Sequence, residues 1–240
     1  MKSIDIIIPV YYGNLNEIEE SIKKQIKFYK QHLNNYNWKI IIGINGPNKN
    51  GIIDEAKRLC KKYKNVAYDY TCYPGKGNSI KKVFTFSKAD IKAFMDVDLS
   101  TDLASFPELI GLVDDGGFDI SSGSRYLKES IYVRKLLRTF ISKVYLKVFV
   151  KWLLNLNYTD PQCGFKAVSG RVPPDFFLGI EDNTWFFETE MYAYANKFNY
   201  KIKEIPIKWY DHAFSGVNIS KAIPYFIMKC ILLKRRLKLS

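Results

Sequence analysis

Apolar strand-like segments alternate with helix-like segments along this chain, and that alternation restricts the fold more than any other feature. Ile4 to Val10 is an apolar run with one proline near its end, the composition of a strand buried on both faces of a parallel sheet. Asn14 is placed to cap a helix reaching about His32, and Trp38 to Ile44 forms a second strand closed by the turn Asn45-Gly46-Pro47-Asn48. A helix over Ile52 to Tyr63, a strand over Val66 to Tyr70, a helix from Pro74-Gly75-Lys76-Gly77 to Phe86 and a strand over Ile91 to Met95 follow. The pattern continues with a helix over Phe106 to Val113 and a strand over Phe118 to Ser122. This is the doubly wound α/β pattern, a mostly parallel central sheet flanked by helices.

The second half is more helical. Val133 to Leu154 reads as one long helix, Phe165 to Val168 as a strand, Glu188 to Phe198 as a helix, Lys201 to Trp209 as a strand and Ser220 to Leu237 as a last helix. No repeat, low-complexity tract or linker interrupts the chain, so its 240 residues are read as one domain. Four cysteines at irregular spacings suggest neither a zinc site nor a disulfide framework, and a reducing cytosol is the expected setting. The N-terminus runs straight into a strand without the pattern of a signal peptide, and no charge-free apolar run approaches the ~18 residues that span a bilayer.

Two short patterns carry chemistry. Asp96-Val97-Asp98 directly follows the strand Ile91 to Met95. Carboxylates spaced by one residue on a strand face the same side and repel unless a cation lies between them. A hard divalent ion does this while leaving positions open for substrate phosphates, and carboxyl ends of strands in open α/β sheets are where ligands bind. Gly75-Lys76-Gly77 lies at a strand-to-helix junction, where glycine permits close backbone approach and lysine adds a point charge for phosphate. A plain turn is the simpler reading of those three residues alone, since no Walker spacing follows them.

In order and spacing the chain resembles glycosyltransferase family 2, and within it the dolichyl-phosphate glucosyltransferases and mannose synthases. The resemblance runs from Ile6-Ile7-Ile8-Pro9-Val10-Tyr11 through Gly75-Lys76-Gly77, Asp96-Val97-Asp98-Leu99-Ser100-Thr101 and Gly123-Ser124-Arg125. It continues through Asp160-Pro161-Gln162-Cys163-Gly164-Phe165-Lys166, Trp185-Phe186-Phe187-Glu188-Thr189-Glu190 and Glu204-Ile205-Pro206-Ile207-Lys208-Trp209. It implies a GT-A nucleotide-sugar transferase fold, with residues 1–125 binding the nucleotide-sugar, 126–215 facing the acceptor and 216–240 forming a basic amphipathic helix. It implies Mg²⁺ or Mn²⁺ held by Asp96 and Asp98, with Ser100 where some relatives carry a further ligand. It also implies catalytic roles for Asp98, Asp160, Gln162 and Glu190. Substrate contacts are implied for Pro9, Tyr11, Asn45, Lys76, Asp96, Ser124, Arg125, Lys166, Glu188, Trp209, His212 and Ser215. Many relatives carry Asn-Glu where this chain has Tyr12-Gly13, and Asp-Gly where it has Asn45-Gly46, so the base of the nucleotide is left open between uridine and guanosine.

The expected reaction is inverting transfer of glucose or mannose from a UDP- or GDP-sugar to a polyprenyl (dolichyl-type) phosphate. A phosphate monoester has its second pKa near 6 and is already largely anionic at neutral pH, so attack needs no general base. A saccharide hydroxyl acceptor would need one, with Glu190 or Glu188 as candidates. The alternative of another class is a non-catalytic module that binds nucleotide-sugar or membrane.

Charge placement bears on location. The net charge is +13, and two segments free of acidic residues, 131–159 and 212–240, carry +12 of it. Apolar side chains edged by Arg134, Arg138, Lys143, Lys147 and Lys151, and by Lys234, Arg235 and Arg236, suit helices lying in an anionic bilayer interface. Amphipathic helices packed on the sheet with a solvated basic face fit the same pattern. The expectation is a cytoplasmic protein held peripherally on a membrane face. Nucleic acid is not expected, because no recognised nucleic-acid-binding motif accompanies the charge.

Overall fold

The computed structural model describes residues 1–133, 146–210 and 219–238. Of the expected site residues, Arg134, Arg138, Lys143, His212 and Ser215 lie outside the described residues, and the side chain of Lys147 does too. The elements in order are β1 (Ser3–Val10), α1 (Ile18–His32), β2 (Asn37–Asn45), α2 (Ile52–Lys62), β3 (Val66–Thr71), α3 (Lys76–Phe86) and β4 (Ile91–Met95). After them come α4 (Phe106–Asp114), β5 (Ile120–Ser124), β6 (Ile131–Val133), a π-helix (Leu146–Leu153), β7 (Phe165–Ser169) and α5 (Pro174–Leu178). The described chain closes with α6 (Phe187–Lys197), β8 (Ile202–Pro206), β9 (Lys208–Tyr210) and α7 (Ile219–Leu237).

Seven strands form one sheet in the order β3-β2-β1-β4-β7-β5-β8. Every neighbouring pair is parallel except those of β7, which runs antiparallel to β4 and β5. The apolar runs made the strands easy to find, but periodicity carries no direction, and a strand buried on both faces reads the same either way. Alternation in β1 divides the core. Ile4, Ile6, Ile8 and Val10 face the layer holding α1, α2 and α4, while Ile7 faces α3, α5, α6 and the inner side of α7. The result is a helix–sheet–helix sandwich, and α6, buried from Phe187 to Ala193, is its most enclosed helix.

Several boundaries differ from the expectation. Helix α1 starts at Ile18, because Asn14 ends a 3-10 turn over Tyr12–Asn14, where its Oδ1 accepts from the Tyr11 amide at 3.0 Å. β5 begins at Ile120 and reaches Ser124. Val133 lies in β6, not in a helix, and the expected strand over Lys201 to Trp209 is two strands. β8 joins the large sheet, whereas β9 pairs with β6 in a separate two-stranded sheet. Pro206 sits at the break, and a proline within a run ends ladder pairing on its amide side.

Candidate functional site

The carboxyl ends of β1, β2 and β4 meet at one edge of the sheet, and the sequence motifs gather there. β4 ends at Met95, so Asp96 and Asp98 lie in the turn beyond the strand rather than on it. Strand alternation therefore does not set their common side. Their arrangement comes from the turn itself, in which the Leu99 amide donates to the Asp96 carbonyl and Leu99 takes a left-handed φ of 54°. Asp98 is exposed, and Ser100 holds it in place. The Ser100 amide donates to Oδ1 at 3.0 Å and its Oγ donates to Oδ2 at 2.7 Å.

Asp96 has a different neighbour. Its Oδ1 is 2.6 Å from Lys76 Nζ, which also reaches Glu188 Oε1 at 2.8 Å. Lys76 is thus a buried cation between two carboxylates, from the start of α3, the turn after β4 and the first turn of α6. Burial works against its charge, but Asp96 and Glu188 outweigh that and raise its pKa above the ordinary lysine value. The rings of Phe94 and Trp185 lie 5.5 and 6.0 Å from the ammonium.

The glycines of this site serve packing. A β-carbon on Gly75, whose φ is 127°, would lie 2.1 Å from the Asn183 carbonyl oxygen, and one on Gly77 would lie 2.8 Å from Cβ of Phe187. The loop is glycine-rich because the segment before α6 presses on it, an approach that sequence had suggested for phosphate. Gly164 plays the same part against Asp96, where an added β-carbon would meet Oδ2 at 2.1 Å. Asn45 ties the ends of two strands to this loop. Its Nδ2 donates to the Val10 carbonyl at 2.8 Å and its Oδ1 accepts from the Gly75 amide at 3.0 Å. Asn45 is buried, so those bonds assign its amide to the loop. Pro9 is also buried, whereas Tyr11 is exposed beside the same strand end.

Arg125 and Asp160 form a second, deeper pair. Arg125 Nε and Nη2 donate to the two Asp160 oxygens at 2.6 and 2.8 Å, and its backbone amide donates to Oδ2 at 3.0 Å. Burial disfavours the guanidinium charge, and the Asp160 carboxylate overrides it, holding the arginine well above its usual pKa. Trp209 lies beside the guanidinium with its ring 5.4 Å away. Glu204 fixes this corner by accepting from the Thr159 and Asp160 amides at 2.7 and 2.8 Å. Ser124, fully buried, shares a 2.5 Å hydrogen bond with Thr159. Sequence had set Arg125 toward phosphate; the fold turns it inward onto Asp160, and the same bonds occupy both oxygens of Asp160.

Lys166 is buried beneath this corner, and Gln162 beside it is half-buried. Gln162 Nε2 lacks a hydrogen-bond partner. Lys166 Nζ donates to the Cys163 carbonyl and sits 5.8 and 5.3 Å from the rings of Phe94 and Tyr192. Burial lowers its pKa, with Glu188 acting in the opposite sense. Glu190 stands apart from Lys76. Its Oε1 accepts from the Glu181 amide at 2.7 Å, its Oε2 from the Asp182 amide at 2.8 Å, and Arg236 of α7 pairs with Oε1. Arg236 is therefore committed to this ion pair and is not free for lipid as expected, while Arg235 is exposed and Lys234 half-buried. Sequence reasoning missed Asp182 and Asn183; the glycines opposite them signalled a close neighbour without identifying it.

The donor set fits a hard divalent cation. Asp98 and Asp96 offer oxygen only, Asp98 is solvent-accessible, and its two bonds to Ser100 leave lone pairs on both oxygens. No cluster of three or more histidine, cysteine, aspartate or glutamate ligands occurs among the described residues. The remaining ligands would have to come from substrate and water, as is usual for Mg²⁺ at a diphosphate.

Residues 5–177 match the sequence model of the family described as Glycosyl transferase family 2. Glycosyltransferase AglD of Haloferax volcanii is 26% identical over 225 residues, covering 92% of this chain and 35% of that protein. The dolichyl-phosphate β-glucosyltransferase of Saccharomyces cerevisiae is 22% identical over 240 residues, covering 92% of this chain and 70% of the relative. This chain thus spans about a third of the first and about 70% of the second. Glucosyl-3-phosphoglycerate synthase from Mycobacterium tuberculosis, solved in complex with UDP, superimposes with a TM-score of 0.67 at 16% identity, covering all of this chain and 81% of that one. It shares the fold. Among the described residues no helix is long and apolar enough to cross a membrane.

Proposed function

The chain belongs to glycosyl transferase family 2, and from that membership we propose that it moves a hexose, glucose in the first instance, from a UDP-sugar to a polyprenyl phosphate at a membrane surface. The carrying observation is the cluster of Lys76, Asp96 and Glu188 beside the exposed Asp98, at the carboxyl edge of β1, β2 and β4. A departing nucleoside diphosphate develops charge on its phosphate oxygens, and preorganised cations at that position lower the barrier. Asp98 and Asp96 would hold Mg²⁺ or Mn²⁺, which supplies the neutralising charge when bound. Solved structures of the mycobacterial synthase that contain Mn²⁺ together with UDP are in keeping with this. Lys76 keeps Asp96 oriented and carries a positive charge next to the diphosphate position. The donor is read as a uridine nucleotide from that same neighbour, with GDP-mannose as the competing donor.

The acceptor reading rests on where the carboxylates are spent. Asp160 is paired with Arg125, Glu188 with Lys76 and Glu190 with Arg236 and two loop amides. A hydroxyl acceptor requires a free base within hydrogen-bond reach, and these three buried carboxylates are engaged. A phosphate acceptor arrives already ionised. Peripheral contact with an anionic membrane on its cytoplasmic face would bring the enzyme to a lipid acceptor.

A donor panel of UDP-glucose, UDP-galactose and GDP-mannose with Mn²⁺ or Mg²⁺, against a short polyprenyl phosphate and a set of saccharides, tests this. Transfer to the lipid phosphate is expected, and Asp98→Asn should abolish it while the circular dichroism spectrum is retained. Product formed on saccharides alone would establish the hydroxyl-acceptor reaction instead, and no transfer from any donor would favour a non-catalytic binding module.

A further inference from the structure

Polar side chains of α7 contact Glu190 and the segment 181–184, and that segment lies against the back of the Lys76 loop. Glu190 of α6 receives Arg236 on one side and the amides of Glu181 and Asp182 on the other. Arg236 also pairs with Glu181 at 2.7 Å. Asp182, buried, accepts from Tyr225 at 2.8 Å and pairs with Lys229 at 2.9 Å, both from α7, and caps its own loop by accepting from the Thr184 amide at 2.7 Å. The next residue, Asn183, touches the donor side. Its carbonyl accepts from the Asn78 amide at 3.1 Å and leaves no room for a β-carbon on Gly75 or Gly77. Lys81 of α3 adds a bond from its ammonium to the Ile180 carbonyl at 2.8 Å.

We propose that Glu190 and Arg236 are positioning residues: through the segment 181–184 they let the C-terminal helix set the Gly75-Lys76-Gly77 loop for the donor diphosphate. The inference rests on the nucleotide-sugar reading above and adds to it the part of the molecule that controls donor affinity. Both Glu190 oxygens are taken by Arg236 and the loop amides, so the residue acts on the donor only through the loop. It holds the main chain of Glu181 and Asp182, whose neighbour Asn183 fixes the glycine loop, and Arg236 keeps the Glu190 side chain oriented. A purely architectural ion pair would lower the melting temperature without altering donor affinity. A general base would lower kcat and leave donor affinity intact. Positioning predicts a rise in donor dissociation constant and KM at temperatures where the variant is fully folded.

The experiment is calorimetric titration of the full chain with UDP-glucose and with GDP-mannose, each with Mn²⁺, far below the melting temperature. Glu190→Gln, Arg236→Gln and the double variant are compared with wild type, and Arg236→Lys serves as the conservative replacement. Asp114→Asn is the control; it removes a Lys2 ion pair and turns the charged acceptor of a 2.8 Å Tyr36 bond into a neutral one, at the opposite end of β1. Each single variant should weaken binding on the order of 10-fold, the size expected when a reacting site is displaced by a fraction of an ångström. The double variant should be little worse than either single one, since both break one link. Arg236→Lys should recover part of the loss, and Asp114→Asn should melt earlier with unchanged affinity. Should Glu190→Gln fail to fold, the Arg236 pair of variants carries the comparison. Unchanged affinity in the Arg236→Gln variant overturns the inference, as does a fall in kcat alone. A wild-type protein that binds neither nucleotide-sugar overturns the functional reading and this inference together, so the two failures are distinguishable.

Discussion

Gly164 lies so close to Asp96 that a β-carbon on it would stand 2.1 Å from the carboxylate Oδ2. The turn leading into β7 is therefore packed against one wall of the candidate diphosphate site, and only hydrogen fits between them. This makes Gly164→Ala a direct probe of Asp96. Overpacking at such a contact costs about 1–3 kcal/mol, and the side chain with room to yield is Asp96, which is 43% exposed. The expected result is a fall in transfer rate of roughly 10-fold or more with a modest drop in melting temperature. Steady-state kinetics and a thermal melt measure both; a fully active Gly164→Ala protein would show that Asp96 has no fixed place in the chemistry.

Lys76 presents the converse case, a cation whose removal strands two acids. Its side chain is 10% exposed and that of Glu188 5%. Taking away one partner of a buried ion pair costs about 3–5 kcal/mol, because the remaining charge is left unpaired in low dielectric. Lys76→Met should therefore lower the urea midpoint and abolish transfer. The double variant with Glu188→Gln should recover part of the stability and none of the activity. Equal midpoints for the single and double variants would mean that Glu188 is not the stranded group.

The strands, the parallel core and the site's location at one sheet edge could all be read from the chain, because apolar runs and glycine-bearing junctions are local signals. Partner choice could not be read. Lys76, Arg125 and Arg236 look alike in sequence, as basic residues near motifs or at a basic terminus. In the fold one bridges two acids, one is turned inward onto Asp160, and one clamps a loop through Glu190. Those pairings span 20 to 112 residues of sequence, and local periodicity does not encode which distant segments meet. The split of β8 from β9 at Pro206 was open to a reading that weighed the missing amide of proline more heavily.

Alkaline stability depends on several thiols and phenols that burial keeps protonated, Cys163 and Tyr36 among them. The Cys163 thiol is pushed up to about 12 from its ordinary 9.0, by burial first and by the Asp160 charge in addition. The Tyr36 hydroxyl is raised from 10.0 to about 12 by burial and by its hydrogen bond to Asp114. Both folded values exceed the unfolded ones, so their contribution is complete below pH 9 and declines as pH rises from 9 toward 12. The urea midpoint of the wild-type protein should fall across that window, and Cys163→Ala should make the fall shallower, the remaining slope coming from Tyr36, Cys60 and the buried Tyr29 and Tyr192. Thiol labelling offers an independent check at neutral pH. Cys72, exposed, should react promptly, and the buried Cys163 and Cys230 should react only on unfolding. An unaltered alkaline limb in Cys163→Ala would remove that thiol as a cause.

If the protein meets a bilayer through α7, the outer and inner faces of that helix make opposite predictions. Met228, Ile231 and Leu232 are 49%, 39% and 51% exposed, and with Pro224, Ile227 and Arg235 they line an open apolar groove. Trp152, 74% exposed at the end of the π-helix beside the exposed Lys151, is a second amphipathic element. Fully burying an exposed apolar side chain contributes about 1.5–3 kcal/mol, so each of these half-exposed ones would contribute about half of that, and each unpaired basic residue near an anionic surface about 1 kcal/mol. Met228→Glu combined with Leu232→Glu should therefore reduce cosedimentation with phosphatidylserine vesicles at least 10-fold. Arg235→Gln should weaken binding and flatten its salt dependence. Arg236→Gln should leave that salt dependence nearly unchanged, because its charge is already answered by Glu181 and Glu190. If the double glutamate variant sediments as wild type does, the apolar face of α7 is not the membrane contact, and the proposed lipid acceptor would have to be reached through another surface.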